Sequence, residues 1–196
     1  MFLARYFITG GSGLIGGWLI KGLLNAGHEV FNYDRDLFGT LRHHGLDPMS
    51  DFQHRAGADV LDIATLTVAL DEFGPDVTVH LSAQSGVLAA KAQGYNALNL
   101  NIWGVANVLE ACRDVGCANI LVASSNHIYG PQPRLPVAED GAAMNQRDLY
   151  SASKICADVL TQAYAANYGL NAVAVRNTNV YGPCDPHVDH IIPSAI

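Results

Sequence analysis

Basic side chains are scarce in this chain and form no cluster. Eleven Lys and Arg residues are scattered over 196 positions, and the formal net charge is −7 with neutral histidines. A protein that binds a nucleic-acid backbone needs a basic patch or stripe along one face. The composition therefore argues against a nucleic-acid partner.

Paired cysteines and long apolar runs are also absent. The four cysteines form no C-x-x-C pair and no zinc-type spacing, which is typical of reduced thiols in a cytosolic protein. No run of 18 apolar residues predicts a membrane-spanning helix, and the apolar stretch before Gly10 is too short for a signal peptide. We expect a cytoplasmic protein without a membrane partner.

Apolar residues make up 49% of the chain, enough for a substantial core. Hydrophobic patterns predict strands at 4–9, 29–34, 52–60, 76–83, 119–125 and 171–180, and helices at 13–27, 63–74, 95–116 and 148–169. The polar stretch 36–50 is assigned only loosely. This alternation predicts an α/β fold, a doubly wound parallel sheet of the Rossmann type. Ligands of such sheets bind beyond the carboxyl ends of the strands.

A glycine-rich loop, "TGGSGLIG" at 9–16, lies between the first strand and the first helix. Glycines there let the backbone approach a pyrophosphate at the helix N-terminus, although strand-to-helix glycine turns are common. Asp34 ends the second strand and could bind both ribose hydroxyls of an adenosine. That carboxylate favours NAD over NADP, and the neighbouring Arg35 softens the preference. Asp59, after the third strand, could contact adenine or cap a helix, and Asp62 is the stronger candidate for the cap.

Ser124 and Ser125 follow the strand that ends near 123, and Tyr150 and Lys154 open the next long helix. Residues four apart share one helix face, so the phenol and the ammonium form either an idle surface pair or a catalytic pair. An ammonium and a positive nicotinamide ring would lower the pKa of the phenol from near 10. The phenolate could then take a proton from a substrate hydroxyl while a serine hydroxyl aligns it.

These motifs resemble those of the extended short-chain dehydrogenase/reductase family, the NAD-dependent epimerases and dehydratases of nucleotide sugars. The resemblance runs nearly end to end, through "TGGSGLIG", "GADVLD", "VHLSAQSGV", "NIWGVANVLEAC", "SSNHIYGP", "YSASK" and "RNTNVYGP". It implies NAD as the cofactor, a nucleotide sugar as the substrate, and catalysis by Ser125, Tyr150 and Lys154.

The resemblance also implies where the two ligands bind. The residues expected along NAD are Gly10, Ser12, Gly13, Leu14, Ile15, Gly16, Asp34, Asp59, Val60, Leu81, Ser82, Ala83, Asn101, Tyr150 and Lys154. Asn101 is expected on the nicotinamide side. The residues expected at the substrate are Ser125, Asn126, His127 and Asn179.

Two positions depart from the 4,6-dehydratases that the chain resembles. Those enzymes carry Asp and then Glu or Lys after the catalytic Ser or Thr, whereas this chain has Asn126 and His127. An amide cannot usefully donate a proton to a leaving group, but an imidazole can titrate. We therefore favour a 4-epimerase, with a 4,6-dehydratase as the alternative. His127 could also be a packing or surface residue, and a non-catalytic NAD-binding protein is a further alternative.

Members of the resembled family continue for a hundred or more residues after "NVYGP". We therefore expect residues 1–180 to form the NAD-binding domain and 181–196 to begin a substrate-binding region that is largely absent from this chain. The apolar stripes at 98–112 and 155–168 are either plain core or, by analogy with the family, a homodimer interface. We expect no metal site, since His187, Asp189 and His190 have no further ligand cluster nearby.

Overall fold

The computed structural model describes residues 3–139, 144–187 and 191–195. It contains one six-stranded sheet in the order β3-β2-β1-β4-β5-β6, with every neighbouring pair parallel. The strands are β1 (Arg5–Thr9), β2 (Glu29–Tyr33), β3 (Gln53–Arg55), β4 (Val77–His80), β5 (Asn119–Ala123) and β6 (Asn171–Val175). This strand order is that of the Rossmann fold, so the predicted fold class is confirmed.

Seven α-helices accompany the sheet within the described residues. They are α1 (Leu14–Asn25), α2 (Ile63–Phe73), α3 (Val87–Gln93), α4 (Tyr95–Leu98), α5 (Gly104–Val115), α6 (Leu149–Tyr168) and α7 (Ile191–Ala195). A π-helical turn (Asn99–Trp103) joins α4 to α5, and short 3₁₀ helices cover Leu41–His44 and Asn126–Tyr129. None of the helices in the described residues has the length and apolar character that a bilayer span requires.

Apolar clusters lie on both faces of the sheet, because successive side chains of a strand point to opposite sides. Phe7 of β1 belongs to a cluster with Leu70 of α2 and Val108 of α5. Its neighbour Ile8 packs on the other face with Ile20 of α1. The inner strands are covered on both sides, as a parallel sheet requires.

Five of the six strands end earlier than the sequence pattern predicts. The predictions 29–34, 52–60, 76–83, 119–125 and 171–180 extend past the observed ends at Tyr33, Arg55, His80, Ala123 and Val175. The residues that follow each strand leave the sheet and turn towards a cavity at its carboxyl edge. Their small and polar side chains therefore belong to the ligand side of the fold, at the point between β1 and β4 where the strand order reverses.

Candidate active site

A cavity of about 1070 Å³ opens at the carboxyl edge of the sheet. It is lined by the glycine loop at one end and by Ser125, Tyr150 and Lys154 at the other. Ligand pockets in proteins usually measure roughly 300–1,000 Å³, so this cavity can hold a large ligand. Of the predicted cofactor and substrate residues, all line the cavity except Asn101 and Asn126.

The glycine loop follows β1 and opens onto the N-terminus of α1. Gly10 has a φ of +77°, and a Cβ there would lie 2.6 Å from the backbone N of Ser82. A Cβ on Gly16 would lie 2.4 Å from the Cα of Gly11. Both glycines thus allow close backbone packing, which brings the unpaired N–H groups at the start of α1 to the cavity wall. Such a cradle fits a diphosphate.

Asp34 lies at the cavity just after β2 and is already engaged by the protein. One carboxylate oxygen accepts a hydrogen bond from Ser12 N at 2.9 Å, and the other accepts one from Asp36 N at 3.0 Å. A carboxylate offers about four acceptor sites, so capacity remains for ribose hydroxyls. Asp34 therefore both orders the glycine loop and presents a negative group to the cavity.

Asp59 and Asp62 have different roles in the structure. Asp62 is the N-cap of α2, since its carboxylate accepts from Thr65 N at 3.1 Å. The Asp59 carboxylate accepts from Leu61 N at 2.9 Å, and Asp59 lines the cavity together with Val60. The helix cap thus belongs to Asp62, which leaves Asp59 at the position expected for an adenine contact.

Ser125, Tyr150 and Lys154 come together where β5 ends and α6 begins. The Ser125 hydroxyl lies near enough to the Tyr150 phenol to lower its pKa. Lys154 Nζ donates to the carbonyl of Ala123 at 2.7 Å and lies 6.0 Å from the centre of the Tyr150 ring. Asp148 caps α6 by accepting from Ser151 N, so the helix begins where Tyr150 must face the cavity. Lys154 is buried and both residues line the cavity, so Tyr150 and Lys154 are not a pair on the protein surface.

Burial dominates the electrostatics of this trio. Burial raises the pKa of Tyr150, only partly opposed by the Ser125 hydroxyl, and Asp148 raises it further. Desolvation lowers the pKa of Lys154 to about 8. The predicted lowering of the phenol's pKa by the ammonium together with a nicotinamide ring stays a prediction. Without the cofactor, the ammonium contacts the Ala123 carbonyl and the phenol is desolvated.

Asn101 has internal partners instead of a place on the cavity wall. It is 1% exposed, and its amide bonds Gln84 N at 2.7 Å, Gln84 O at 3.1 Å and Ser153 Oγ at 2.9 Å. These contacts join the π-helical turn to α6 and to the loop after β4. The expected direct contact of Asn101 with the cofactor is thus corrected to an internal role.

Asn126 likewise does not line the cavity. It is exposed, and its backbone N donates to Asn177 O at 2.8 Å. The next residue, His127, does line the cavity, with its ring edge-on to Tyr150 at a centroid distance of 5.9 Å. The 3₁₀ helix after Ser125 turns one side chain outward and the other inward. Asn179 also lines the cavity, as expected.

Several cavity residues were not predicted as site residues. Gly39, Thr40 and His43 lie in the stretch 36–50, and Tyr181, Pro186 and His187 follow the last strand. Thr40 Oγ1 donates to Ser12 O at 3.1 Å and to Gly13 O at 2.9 Å, so this stretch wraps the glycine loop. The stretch 36–50 has no hydrophobic periodicity in the sequence, and for this reason its residues were not predicted to belong to the site.

The expected domain boundary and metal absence stay predictions. Residues on both sides of position 180 line the same cavity. Among the described residues, no group of three or more His, Cys, Asp or Glu side chains has a metal-binding arrangement. Asp189 and His190 lie outside the described residues.

Comparisons with known proteins agree with this geometry. The chain is 34% identical over 185 residues to UDP-glucose 4-epimerase of Mycolicibacterium smegmatis, covering 93% of this chain and 58% of that protein. It is 31% identical over 184 residues to a probable UDP-glucuronate 4-epimerase of Rhizobium meliloti, covering 91% and 54%. The chain thus spans little more than half the length of these relatives.

Solved structures give the same result. UDP-glucose 4-epimerase from Brucella ovis, in complex with NAD, has a TM-score of 0.81 at 29% identity, covering 90% of this chain and 52% of that one. The dTDP-glucose 4,6-dehydratase DesIV from Streptomyces venezuelae, with NAD bound, has a TM-score of 0.86 at 27% identity, covering 97% and 60%. A family model described as the NAD dependent epimerase/dehydratase family matches residues 6–196. The chain therefore belongs to the NAD dependent epimerase/dehydratase family.

Proposed function

We propose that this chain is the NAD-binding part of an enzyme that converts nucleotide sugars by transient oxidation at the sugar C4, as a 4-epimerase. The observation that carries the proposal is that Ser125, Tyr150 and Lys154 line the same cavity as the glycine loop. A binding module needs no such proton-transfer group. The 4-epimerases among the relatives support the same activity.

The residues of the cavity fit NAD. The glycine loop would hold the diphosphate, Asp34 the adenosine ribose, and Asp59 with Val60 the adenine. Leu81, Ser82 and Ala83 line the cavity between these groups and Lys154. When bound, NAD would supply a hydride acceptor that also returns the hydride. The similar structures that contain NAD support this assignment.

Tyr150 is the group that would remove the proton of the 4-hydroxyl. Tyr150 Oη, as the phenolate, would take this proton and become the neutral phenol, and the nearby Ser125 hydroxyl would orient the same sugar oxygen. Because burial raises the pKa of Tyr150, proton removal requires a positive charge at the site. Lys154, with its pKa near 8, carries such a charge at neutral pH. It also fixes the backbone that leads into Ser125 through the Ala123 carbonyl.

The residues at positions 126 and 127 bear on the choice between an epimerase and a 4,6-dehydratase. Elimination of water from C5 and C6 needs an acid for the leaving 6-hydroxyl and a base for the C5 proton. Asn126 is outside the cavity and cannot act as the acid, which favours the epimerase. His127 lines the cavity with its ring edge-on to the Tyr150 ring, which keeps a 4,6-dehydratase as the alternative. The likeness to DesIV, a 4,6-dehydratase, supports the same alternative.

Product mass distinguishes these functions. The purified protein, supplied with NAD, is incubated in turn with UDP-, dTDP-, CDP- and GDP-sugars. A new stereoisomer of unchanged mass supports the epimerase, and loss of water from the product supports the dehydratase. Absence of a product with every donor, together with NAD binding, would favour a non-catalytic NAD-binding protein. The Tyr150→Phe variant is the control for conversion at the proposed site.

We further propose a homodimer in the cytoplasm. Trp103 is 61% exposed at the start of α5, and Val159 is 52% exposed on α6, which packs beside α5. Large exposed apolar side chains on two neighbouring helices suit an isologous interface. The four cysteines, none of them in a disulfide, fit a reducing compartment.

A further inference from the structure

Asn32 is a polar side chain in a position that normally holds an apolar one. It lies in β2, between two neighbouring strands of the parallel sheet, and its exposure is 0%. Strands buried on both faces of such sheets are usually nearly continuous apolar runs. An amide without partners there would cost several kcal/mol, on the order of 2–7. Its contacts therefore decide what Asn32 does.

Every hydrogen-bonding group of the Asn32 amide has a partner. Its Oδ1 accepts from Gly11 N at 3.0 Å. Its Nδ2 donates to Ser12 Oγ at 3.2 Å and to His54 Nδ1 at 2.9 Å. Turning the amide by 180° would set Nδ2 against the Gly11 N–H, two donors facing each other. The backbone thus fixes the orientation of Asn32, and His54 supplies the acceptor that completes it.

The contact with the glycine loop is close and specific. A Cβ at Gly11 would lie 2.3 Å from Asn32 Oδ1, so only glycine lets the loop sit on this amide. Ser12 Oγ, which accepts from Asn32, donates in turn to Asp36 O at 2.9 Å. Ser12 N donates to the Asp34 carboxylate. Gly11 and Ser12 are therefore held by two side chains, by Asn32, which does not line the cavity, and by Asp34, which does.

We propose that Asn32, supported by His54, is a positioning residue that holds Gly11 and Ser12 in the conformation required to bind the diphosphate of the cofactor. It does not line the cavity and acts through the loop backbone. The inference rests on the proposed NAD-binding function. It adds a residue of β2 to the cofactor site, two positions before the strand-end carboxylate. Burial lowers the pKa of His54, which is consistent with its acting as a neutral acceptor.

The test compares ligands that contain or lack a diphosphate. Asn32→Leu removes all three hydrogen bonds while keeping a similar volume. We expect affinity for NADH and for ADP to fall about tenfold or more, the equivalent of one to two hydrogen bonds. Affinity for adenosine should change less than about twofold, because Asn32 makes no hydrogen bond to Asp34 or Asp59, the residues proposed to bind adenosine. NADH fluorescence measures the affinity for NADH, and competition against NADH measures the affinities for ADP and adenosine.

Thr78→Val is the matched control. Thr78 is also fully buried in an inner strand, β4, where its hydroxyl contacts Cys117 Sγ at 3.4 Å, away from the glycine loop. This substitution should leave all three affinities unchanged. His54→Leu is the second variant and keeps the bond between Asn32 and Gly11. It should weaken NADH and ADP binding by a smaller factor than Asn32→Leu.

The outcomes separate this inference from the function on which it rests. If the unaltered protein does not bind NADH, both are overturned. If the unaltered protein binds NADH and Asn32→Leu binds NADH and ADP equally well, only the positioning role is overturned. It is also overturned if adenosine binding falls by the same factor, or if Thr78→Val weakens NADH binding as much as Asn32→Leu does. Should Asn32→Leu not fold, unchanged NADH and ADP binding by His54→Leu overturns it.

Discussion

Tyr150 is held as a neutral phenol in this structure, because burial raises its pKa and Ser125 only partly opposes that effect. Its value to a reaction lies in its position, beside a serine hydroxyl and at the cavity. Removing only the phenolic oxygen should therefore abolish proton transfer while leaving the fold and the cavity unchanged. The family motif indicated Tyr150 as a site residue, and Tyr150 lines the cavity, but the motif carries no information about desolvation.

We predict that Tyr150→Phe lowers turnover of the nucleotide sugar by about 10²–10⁴-fold, the usual contribution of a positioned general base. NADH affinity should change little, since the glycine loop and Asp34 are untouched. Tyr168→Phe, on the same helix at 55% exposure, is the matched control and should keep full turnover. Turnover of Tyr150→Phe close to that of the unaltered protein would refute the assigned role.

Lys154 carries a buried charge, and its effect on the free energy of unfolding depends on pH. Desolvation lowers its pKa to about 8 in the folded protein, against about 10.4 in an unfolded chain. Between these values the unfolded state binds more protons, so stability rises with pH. The penalty of burying the ammonium is complete below pH 8 and disappears towards pH 10.4. It amounts to about 3 kcal/mol, at about 1.4 per pH unit.

We therefore predict that Lys154→Met, without cofactor, is more stable than the unaltered protein at pH 7. The expected gain is about 2 kcal/mol, after about 1 kcal/mol is subtracted for the lost hydrogen bond to Ala123. The gain should shrink as pH approaches 10. Urea unfolding at pH 7 and pH 10 measures it, with the exposed Lys91→Met as control. Equal stability at pH 7 would contradict the buried charge.

Motifs alone could place most site residues but not their contacts. The glycine loop, Asp34, Asp59 and the Tyr–Lys pair were predictable because each follows a strand or opens a helix at a recognisable spacing. Asn101 is buried and does not line the cavity, which its sequence could not show, because a buried amide and a cavity amide look alike in a sequence. Asn32 was missed because its partners, Gly11 and His54, are 21 and 22 positions away along the chain.

At the scale of elements, the long helix α6 carries the catalytic candidates and is tied to the end of β6. Arg176, which follows β6 directly, makes two hydrogen bonds at 2.9 Å to the carboxylate of Asp158 on α6. Desolvation raises the pKa of Asp158, but the Arg176 bonds and charge outweigh it and hold that pKa below its usual range. Arg176 also donates to Tyr129 Oη at 2.6 Å. Arg176 thus joins the end of β6 to α6 and to the 3₁₀ helix that ends at Tyr129.

We predict that Asp158→Asn lowers the free energy of unfolding at pH 7 by about 3 kcal/mol, because the Arg176 charge loses its buried partner. Because the pKa of Asp158 is lower in the folded protein than in the unfolded chain, the pair stabilises the fold fully at pH values above the unfolded-state pKa near 4. This stabilisation is lost as the pH falls through the pKa of the folded state. The difference between variant and unaltered protein should therefore shrink by pH 3. Denaturant unfolding at both pH values measures it.

The control for this pair is an exposed one. Asp114 pairs with Arg113 on α5 at 2.8 Å, and its side chain is 46% exposed. Asp114→Asn should change stability by less than about 0.5 kcal/mol. A loss from Asp158→Asn as small as that from Asp114→Asn would show that the buried pair does not hold α6 to the strand end.

Hydrophobic periodicity in the sequence was not sufficient to predict all the helices or their bounds. The pattern predicted one helix at 95–116, whereas the structure has α4, a π-helical turn and α5. The turn coincides with Asn101, whose amide is bound to Gln84 and Ser153, and such long-range bonds leave no trace in the periodicity. Helix α3 was not predicted, because its seven residues between Gly86 and Gly94 are too short to establish a period.

On the scale of the whole molecule, the doubly wound parallel sheet followed from the alternation of strands and helices, because parallel strands with right-handed crossovers leave few topologies. The homodimer cannot be predicted from the sequence pattern in the same way, because an exposed apolar helix face can have several explanations. We predict that Trp103→Glu shifts the protein from dimer to monomer in sedimentation experiments. Val68→Glu, on α2 at 52% exposure, should leave the dimer intact. A monomeric unaltered protein would refute the proposed interface.

The cavity is the feature that joins both halves of the sheet, and a ligand that fills it should stabilise the whole fold. Residues from the ends of β1, β2, β4 and β5 line it together with α6. A ligand that binds only the folded state adds about 2.7 kcal/mol at a hundred times its Kd. For a chain of this size, 1 kcal/mol corresponds to roughly 2–4 °C in Tm.

We therefore predict that NAD, at a hundred times its Kd, raises the Tm of the protein by about 5–11 °C. NADP at the same concentration should give a smaller rise, because the Asp34 carboxylate repels a 2′-phosphate. Asp34→Asn, which keeps the shape of the side chain without its charge, should narrow the difference between the two cofactors. Thermal unfolding followed by circular dichroism measures all four combinations. No shift with NAD would refute cofactor binding, and an equal shift with NADP would refute the role of Asp34 alone.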